Sequence, residues 1–320
     1  MILDIAFILL GLLLLVKGGD YLVDGSVAIA KRAKLSEMVI GLTVVGFGTS
    51  MPELLVSAQS ALMGSSGIAI GNVVGSNISN IALILGVTAI VHTIPTQRIT
   101  LRLDLPFMLF SFVVFVAIAM TGSIGRVAGI IAVGMLISFV AYQVRLSRKA
   151  SKRAEKLAAE RLEEKSSAES MALWKAILLV IVSFLAMVLG ANVLVEGASN
   201  IARLLGVSDR IIGLTIVAIG TSLPELFSSV MAAVKGKTDM AIGNIIGSGT
   251  FNVLCVIGVS SIITPIMGTN IGFGFDYLLM TILGFLLWVF LRSKYKLERW
   301  EGIALTTIYV AYLAKTIIIG

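Results

Sequence analysis

Two acids set deep in apolar sequence carry the first chemistry of this chain. Glu53 and Glu225 each lie well inside a stretch long and apolar enough to span a bilayer. A carboxylate at the centre of such a helix costs roughly 2.5–3.5 kcal/mol on insertion scales, so it needs a partner or an aqueous cavity. No Lys or Arg is expected in the interior of any span, which leaves protons or bound cations to neutralise them. Thr49 and Ser50 precede Glu53 by four and three residues and share its helical face, and Thr221, Ser222 and Glu225 repeat the arrangement. Pro52 and Pro224 lack an amide hydrogen and free carbonyls about four residues back, near Gly48 and Gly220. Inside a membrane those carbonyls must be satisfied by the protein or its cargo. Carboxylates, hydroxyls and loose carbonyls make an all-oxygen set, the kind that calcium and sodium prefer.

A second polar layer follows each acid. Ser76 and Asn80 are four residues apart and share a face, as do Ser248 and Asn252. An amide oxygen can serve a cation without adding charge. Gly71, Gly75, Gly243, Gly247 and Gly249 permit close helix approach or local unwinding. The same small and polar residues also join helices in many membrane proteins, so both readings stand at this point.

The elements that must position these groups are membrane helices. Of 320 residues 58% are hydrophobic and only 13% charged, too few charges to cover a soluble domain of this length. About ten spans are expected, near 2–29, 37–63, 68–91, 103–121, 126–146, 173–202, 209–234, 240–264, 273–291 and 299–318. The first is read as a retained span, since it has no basic leader and no small-residue cleavage site after it. Residues 147–172 form the one strongly polar segment, suited to an exposed helix or a flexible linker. The loops after spans 1, 3, 5, 7 and 9 collect Arg32, Lys34, Arg98, Arg102, Lys149, Lys152, Lys235, Lys237, Lys294 and Lys296. The other face carries mainly Arg126, Arg203, Arg210 and Lys315. The basic excess predicts both termini outside and the charged linker in the cytoplasm of a cell-membrane protein. The net charge of +7 therefore belongs to membrane topology, and no nucleic-acid partner is expected. Cys255 is the single cysteine, so there is no disulfide framework.

An internal repeat organises the chain. Residues 41–62, GLTVVGFGTSMPELLVSAQSAL, match 213–234, GLTIVAIGTSLPELFSSVMAAV, and residues 71–86 match 243–258. Glu225 lies 172 residues after Glu53 and Asn252 lies 172 after Asn80, so both matches share one offset. A five-span unit used twice, at 1–146 and 173–320, enters the membrane from opposite faces. Such an inverted repeat places its substrate near the midplane, where interrupted helices of the two halves meet. The similarity is strongest on polar and helix-breaking residues, which argues against duplication as scaffold history alone.

GTSMPE with GNVVGSNISN, and GTSLPE with GNIIGSGTFN, resemble the two alpha-repeats of the cation/calcium exchanger superfamily, above all its sodium/calcium exchanger branch. The resemblance covers both halves in order. It implies an all-α protein of ten helices in two inverted repeats, with four cation sites at its centre and no enzymatic activity. It also implies alternating access in which spans 1 and 6 slide over the remaining bundle. The family's ligands fall on Glu53, Thr49, Ser50 and Ser76, and on Glu225, Thr221, Ser222 and Ser248. Its carbonyl ligands fall near Gly46 and Ala218, and its span 3 amide on Asn80. Some members, including potassium-dependent ones, carry aspartate where this chain has Asn252, which makes potassium co-transport less expected here. Calcium and sodium are the implied cargo, the lipid bilayer the implied surroundings, a monomer the expected unit, and no cofactor is implied. The family stoichiometry of three sodium ions per calcium would be electrogenic.

Asp20 and Asp24 in span 1, with Asn192 and Glu196 at matching places in span 6, either line an ion entrance or sit at the interface. His92 at the end of span 3 reads as structural rather than proton-sensing. The nearest rival function is a proton/calcium antiporter of the same superfamily. A channel would conduct without counter-ion dependence, an intramembrane protease would more usually employ aspartates, and no Walker A loop supports an ATP-driven pump.

Overall fold

A computed structural model describes residues 1–160, 171–207, 212, 216 and 218–319. Among the described residues the regular structure is helical apart from four two-residue strands. The helices are α1 (Ile2–Ala33), α2 (Glu37–Thr49), α3 (Met51–Leu62), α4 (Ser66–Val91), α5 (Thr100–Ala119), α6 (Arg126–Glu160) and α7 (Leu173–Leu204). There follow α8 (Ala218–Thr221), α9 (Leu223–Val234), α10 (Thr238–Ile263), α11 (Gly274–Lys294) and α12 (Arg299–Ile319). Among the described residues eight helices are long and apolar enough to cross a membrane, and α2 with α3 makes a ninth across a 45° bend. The expected span at 209–234 falls partly outside the described residues; α9 is its described remainder.

Two features of the helices bear on what the sequence predicts. The polar segment 147–172 does not begin with a break, because α6 continues from the apolar span as one helix to Glu160. Its alanines and long charged side chains are strong helix formers, so the helix has no reason to stop where hydrophobicity does. Lys17 also lies in the middle of α1, contrary to the expectation of no basic residue within a span. Its side chain is exposed, and it forms no ion pair among the described residues, so it neutralises neither deep acid.

The strands mark the two ends of the bundle. β1 (Ile94–Pro95) pairs antiparallel with β4 (Lys296–Leu297), and β2 (Ser123–Ile124) with β3 (Ile266–Met267). On the β1–β4 end, Gln97 meets Asp239, Lys237 meets Glu37, the Ser36 amide donates to Ser147 and Arg32 donates to the Met171 carbonyl. This end adjoins the polar segment and is termed the linker face. On the opposite face the Met267 amide donates to Ser66, and Asn200 donates to Asp4.

Helices α1 and α7 form a long pair outside the rest. They approach so closely that a Cβ on Gly11 would stand 2.6 Å from the Gly190 carbonyl oxygen. The inner bundle is tied by α2 against α10, where a Cβ on Gly247 would meet the Leu42 carbonyl at 2.3 Å. Glycine thus lets two backbones touch, and this crossing carries first-half residues against second-half ones. The core around it is apolar, with Ile70, Val73, Ile78, Leu105, Met108, Ile245 and Leu283 fully buried.

Candidate cation site

The bend between α2 and α3 follows from Pro52. Without an amide hydrogen at 52 the preceding turn cannot close, and Ser50 leaves helical geometry at φ −85°, ψ 3°. Ser222, before Pro224, does the same at φ −93°, ψ 3°. Each break places a glutamate in the first turn of the following helix half, Glu53 in α3 and Glu225 in α9. Alpha-4 and α10 carry wide π turns over Ser79–Leu85 and Asn252–Val256, starting beside Asn80 and at Asn252. Such turns recur at functional sites because they re-aim side chains and loosen carbonyls.

These four interruptions converge. The Glu53 and Glu225 carboxylates lie close enough for one charge to act on the other. Ser76 of α4 approaches the Glu53 carboxyl, and Thr49 of α2 crosses to that of Glu225. The Thr49 hydroxyl also donates to the Gly46 carbonyl at 3.4 Å and to the Asn244 amide oxygen at 3.3 Å, and stands 3.4 Å from the Ser248 hydroxyl. Ser248 in turn donates to the Gly46 carbonyl at 3.4 Å. Thus Gly46, Thr49 and Ser248, all expected in the site, meet directly, and both glutamates join them.

Several oxygens there have no partner. Among the described residues, one carboxylate oxygen each of Glu53 and Glu225, the Ser50 hydroxyl and the amide oxygens of Asn80 and Asn252 are buried without a hydrogen-bond partner. Glu53 and Glu225 are only 2% and 1% exposed. Unpaired buried acceptors cost of order 1–3 kcal/mol each, and more when charged, so this cluster of oxygens is poised for a positive ligand. Ser222 is buried at the second break, and Ala218 opens α8 at the position matching Gly46.

Three asparagines complete the scaffold and were not anticipated. Asn72 donates to the Glu53 main-chain carbonyl at 3.1 Å and to Ser57 at 2.9 Å. Asn244 donates to the Glu225 carbonyl at 3.5 Å, to Ser228 at 3.0 Å and to Ser229 at 2.9 Å. Each fixes the backbone beneath a glutamate. Their signal was present, since the two share the 172-residue offset. Asn77 accepts from the Asn252 amide at 3.2 Å and so turns the free Asn252 oxygen elsewhere. At the matching place Gly249 carries no such acceptor.

A cavity adjoins the two bends. A cavity of about 230 Å³ is lined by Pro52, Val188, Asn192, Glu196, Thr221 and Pro224. Thr221 is exposed into it, whereas its counterpart Thr49 is 1% exposed. The cavity lies along the second half of α7, toward the face opposite the linker. On the linker side α1 and α9 are clasped together. Lys235, just after α9, pairs with Asp20 at 2.6 Å and Asp24 at 2.7 Å on α1. Partial burial works against its charged form, but the two aspartates outweigh this and hold its pKa above the usual lysine value. These residues therefore divide: Asn192 and Glu196 line the cavity, while Asp20 and Asp24 form an ion-paired clasp.

A family model described as sodium/calcium exchanger protein matches residues 3–145 and 175–318. The sodium/calcium exchanger MaX1 of Methanosarcina acetivorans is 35% identical, over 96% of this chain and 96% of its own. The inner membrane protein YrbG of Escherichia coli is 34% identical, over 98% and 97%. Among solved structures, the sodium-calcium exchanger NCX_Mj superposes with a TM-score of 0.82 at 32% identity, covering 98% of both chains.

Proposed function

The chain belongs to the sodium/calcium exchanger protein family, and from that premise we propose that it is a secondary antiporter exchanging calcium for sodium by alternating access. The observation that carries this reading is the cluster of unpartnered oxygens around Glu53 and Glu225, drawn from both halves and set in apolar surroundings. Its cargo ligands are Glu53, Thr49, Ser50, Ser76, Asn80 and the Gly46 carbonyl, with Glu225, Thr221, Ser222, Ser248, Asn252 and the Ala218 carbonyl opposite. Hard oxygen donors with two carboxylates suit a calcium ion, which neutralises both at once. Several sodium ions do the same with help from the neutral oxygens.

Coupling follows from electrostatics. A cavity left with two bare carboxylates cannot cross the low-dielectric barrier, while a neutralised one can. Exchange of three sodium ions for one calcium would move one net charge, worth about 2.3 kcal/mol per 100 mV. The 230 Å³ cavity and the Lys235 clasp fit a state open only to the face away from the linker.

In this reading the ten spans are two inverted units, residues 1–146 and 173–320, joined by the polar segment 147–172. The two strand pairs support it: β3 lies 172 residues after β1, yet the two sit at opposite ends. The basic loops put the linker face in the cytoplasm and both termini outside. The test is calcium flux into proteoliposomes with sodium, potassium and proton gradients imposed separately. Uptake driven by internal sodium alone is expected. Uptake driven by a proton gradient without sodium would instead make the protein a proton/calcium antiporter.

A further inference from the structure

A second site of different chemistry lies on the linker face, away from the two glutamates. Arg98 and Arg102 at the start of α5 and Arg292 near the end of α11 surround a cavity of about 250 Å³, with Leu101, Trp288 and Tyr295. The residues are held there rather than gathered loosely. The β1–β4 pair and the bond from the Thr96 amide to the Tyr295 carbonyl, at 2.8 Å, lock the two loops side by side. Tyr295 takes a left-handed conformation, φ 55°, that turns the chain back into β4. The Trp288 indole donates to the Leu101 carbonyl at 3.4 Å and ties α11 to α5. The Arg98 guanidinium stands 5.4 Å from the centre of the Tyr295 ring, and that of Arg292 5.1 Å from the Trp288 ring.

Three guanidiniums thus face one hollow, and among the described residues no carboxylate pairs with any of them. Of the two acids of this corner, Glu301 accepts from the Glu298 amide at 2.8 Å, and Glu298 is taken by Lys294 at 3.0 Å and Lys296 at 2.9 Å. For Glu298, hydrogen bonds from Lys296, Lys294 and Trp300 push the pKa down to about 2, so it stays a committed anion. Arginine forks match the oxygens of a phosphate in paired hydrogen bonds, and stacking on aromatic rings pre-orients them. Tryptophan and tyrosine mark the headgroup level of a bilayer. The hollow lies at that level, since α5 begins and α11 ends within a turn of it.

We propose that this pocket binds a phosphate group, presented by an anionic phospholipid of the leaflet on the linker face. A basic pocket between helix ends takes such a headgroup by charge and shape together. The general excess of basic residues on this face would attract anionic lipid diffusely, without one saturable position.

The test is native mass spectrometry of the full-length protein in detergent, titrated separately with phosphatidylglycerol, phosphatidylcholine and inorganic phosphate. One phosphatidylglycerol is expected to bind at least about tenfold more tightly than phosphatidylcholine. The combined variant Arg98→Gln, Arg102→Gln, Arg292→Gln is expected to lose that preference. The combined variant Lys149→Gln, Lys152→Gln, Arg153→Gln, an equal loss of three charges on the same face, is expected to keep it. Arg292→Lys, which keeps charge but loses the fork, is expected to weaken binding several-fold, in a variant with little reason to misfold. Equal phosphatidylglycerol binding by the wild type and the triple variant would overturn the site. Inorganic phosphate saturating the arginine-dependent site as tightly as the lipid would overturn the lipid assignment.

Discussion

The two halves of the chain carry nearly the same residues at the bends, yet their surroundings differ. Around the first bend Thr49 is buried and bonded, whereas around the second Thr221 faces a 230 Å³ cavity. The difference is carried by α1 and α7. Helix α1 leans on α9, with Gly19 against Phe227 and Lys235 clasped by Asp20 and Asp24. At the matching places on α7 and α3 the residues are Ala191, Leu55, Asn192, Glu196 and Met63, and no clasp exists. Leu55 is 65% exposed. A repeat of sequence therefore does not impose a repeat of packing. Two arrangements become possible, and a few unmatched residues select between them.

The comparison can be pressed hardest at the asparagines under the glutamates. Asn244 is 1% exposed and serves four partners, so Asn244→Leu is expected to cost about 2–3 kcal/mol by leaving several buried groups unpaired. Asn72→Leu, at a half-buried place with two partners, should cost about half as much. Thermal melting in detergent reads the difference, and equal losses would deny that the halves are packed unequally.

Gly247→Ala comes next. Its methyl must push against the Leu42 backbone, an overpacking worth about 1–3 kcal/mol, again read by melting. An unchanged melting temperature would mean that α2 and α10 do not depend on contact at glycine.

Removing the clasp has a smaller effect. Lys235→Met installs the residue found at the matching position 63. The pairs are a quarter to a half exposed, so screening limits them to about 1 kcal/mol, or roughly fivefold in the balance of access states. In a Cys255→Ala background, thiol labelling of Ala191→Cys in the cavity should slow by a similar factor. Unaltered labelling would show that the clasp does not bias access.

The smallest expected change is with pH. Lys235 has a raised pKa in the clasped state, so its contribution is complete below the ordinary lysine value near 10.5 and fades only as pH rises through the higher one. Labelling of Ala191→Cys, corrected for thiolate fraction, should therefore report the same clasp between about pH 6 and 9. A loss of the Lys235→Met effect within that range would place its control on another group.

Much of this was legible in the sequence, for identifiable reasons. Apolar length marks a span directly, and a proline four residues after a glycine marks a bend. The doubled GTSxPE segment marked the two acids and Thr49, which the fold brings together. The asymmetry was hidden, because Lys235 acquires meaning only when α1 is known to lean toward it. The π turns at Asn80 and Asn252 arise from packing between α4, α10 and their neighbours, and no local propensity announces them. The choice between exposed helix and flexible linker after span 5 stayed open because hydrophobicity stops near residue 146; the helix runs on to Glu160. Asn72 and Asn244 could have been found, since both are duplicated; their role as struts rather than ligands required coordinates.

The most direct trial of the central claim is calcium uptake into sodium-loaded proteoliposomes carrying Glu53→Gln or Glu225→Gln. Each substitution preserves shape and removes one of the two charges that a calcium ion must neutralise. Uptake should fall at least about a hundredfold in each, as expected when a buried charged ligand is lost. Wild-type exchange in either variant would contradict a cargo site built on both carboxylates.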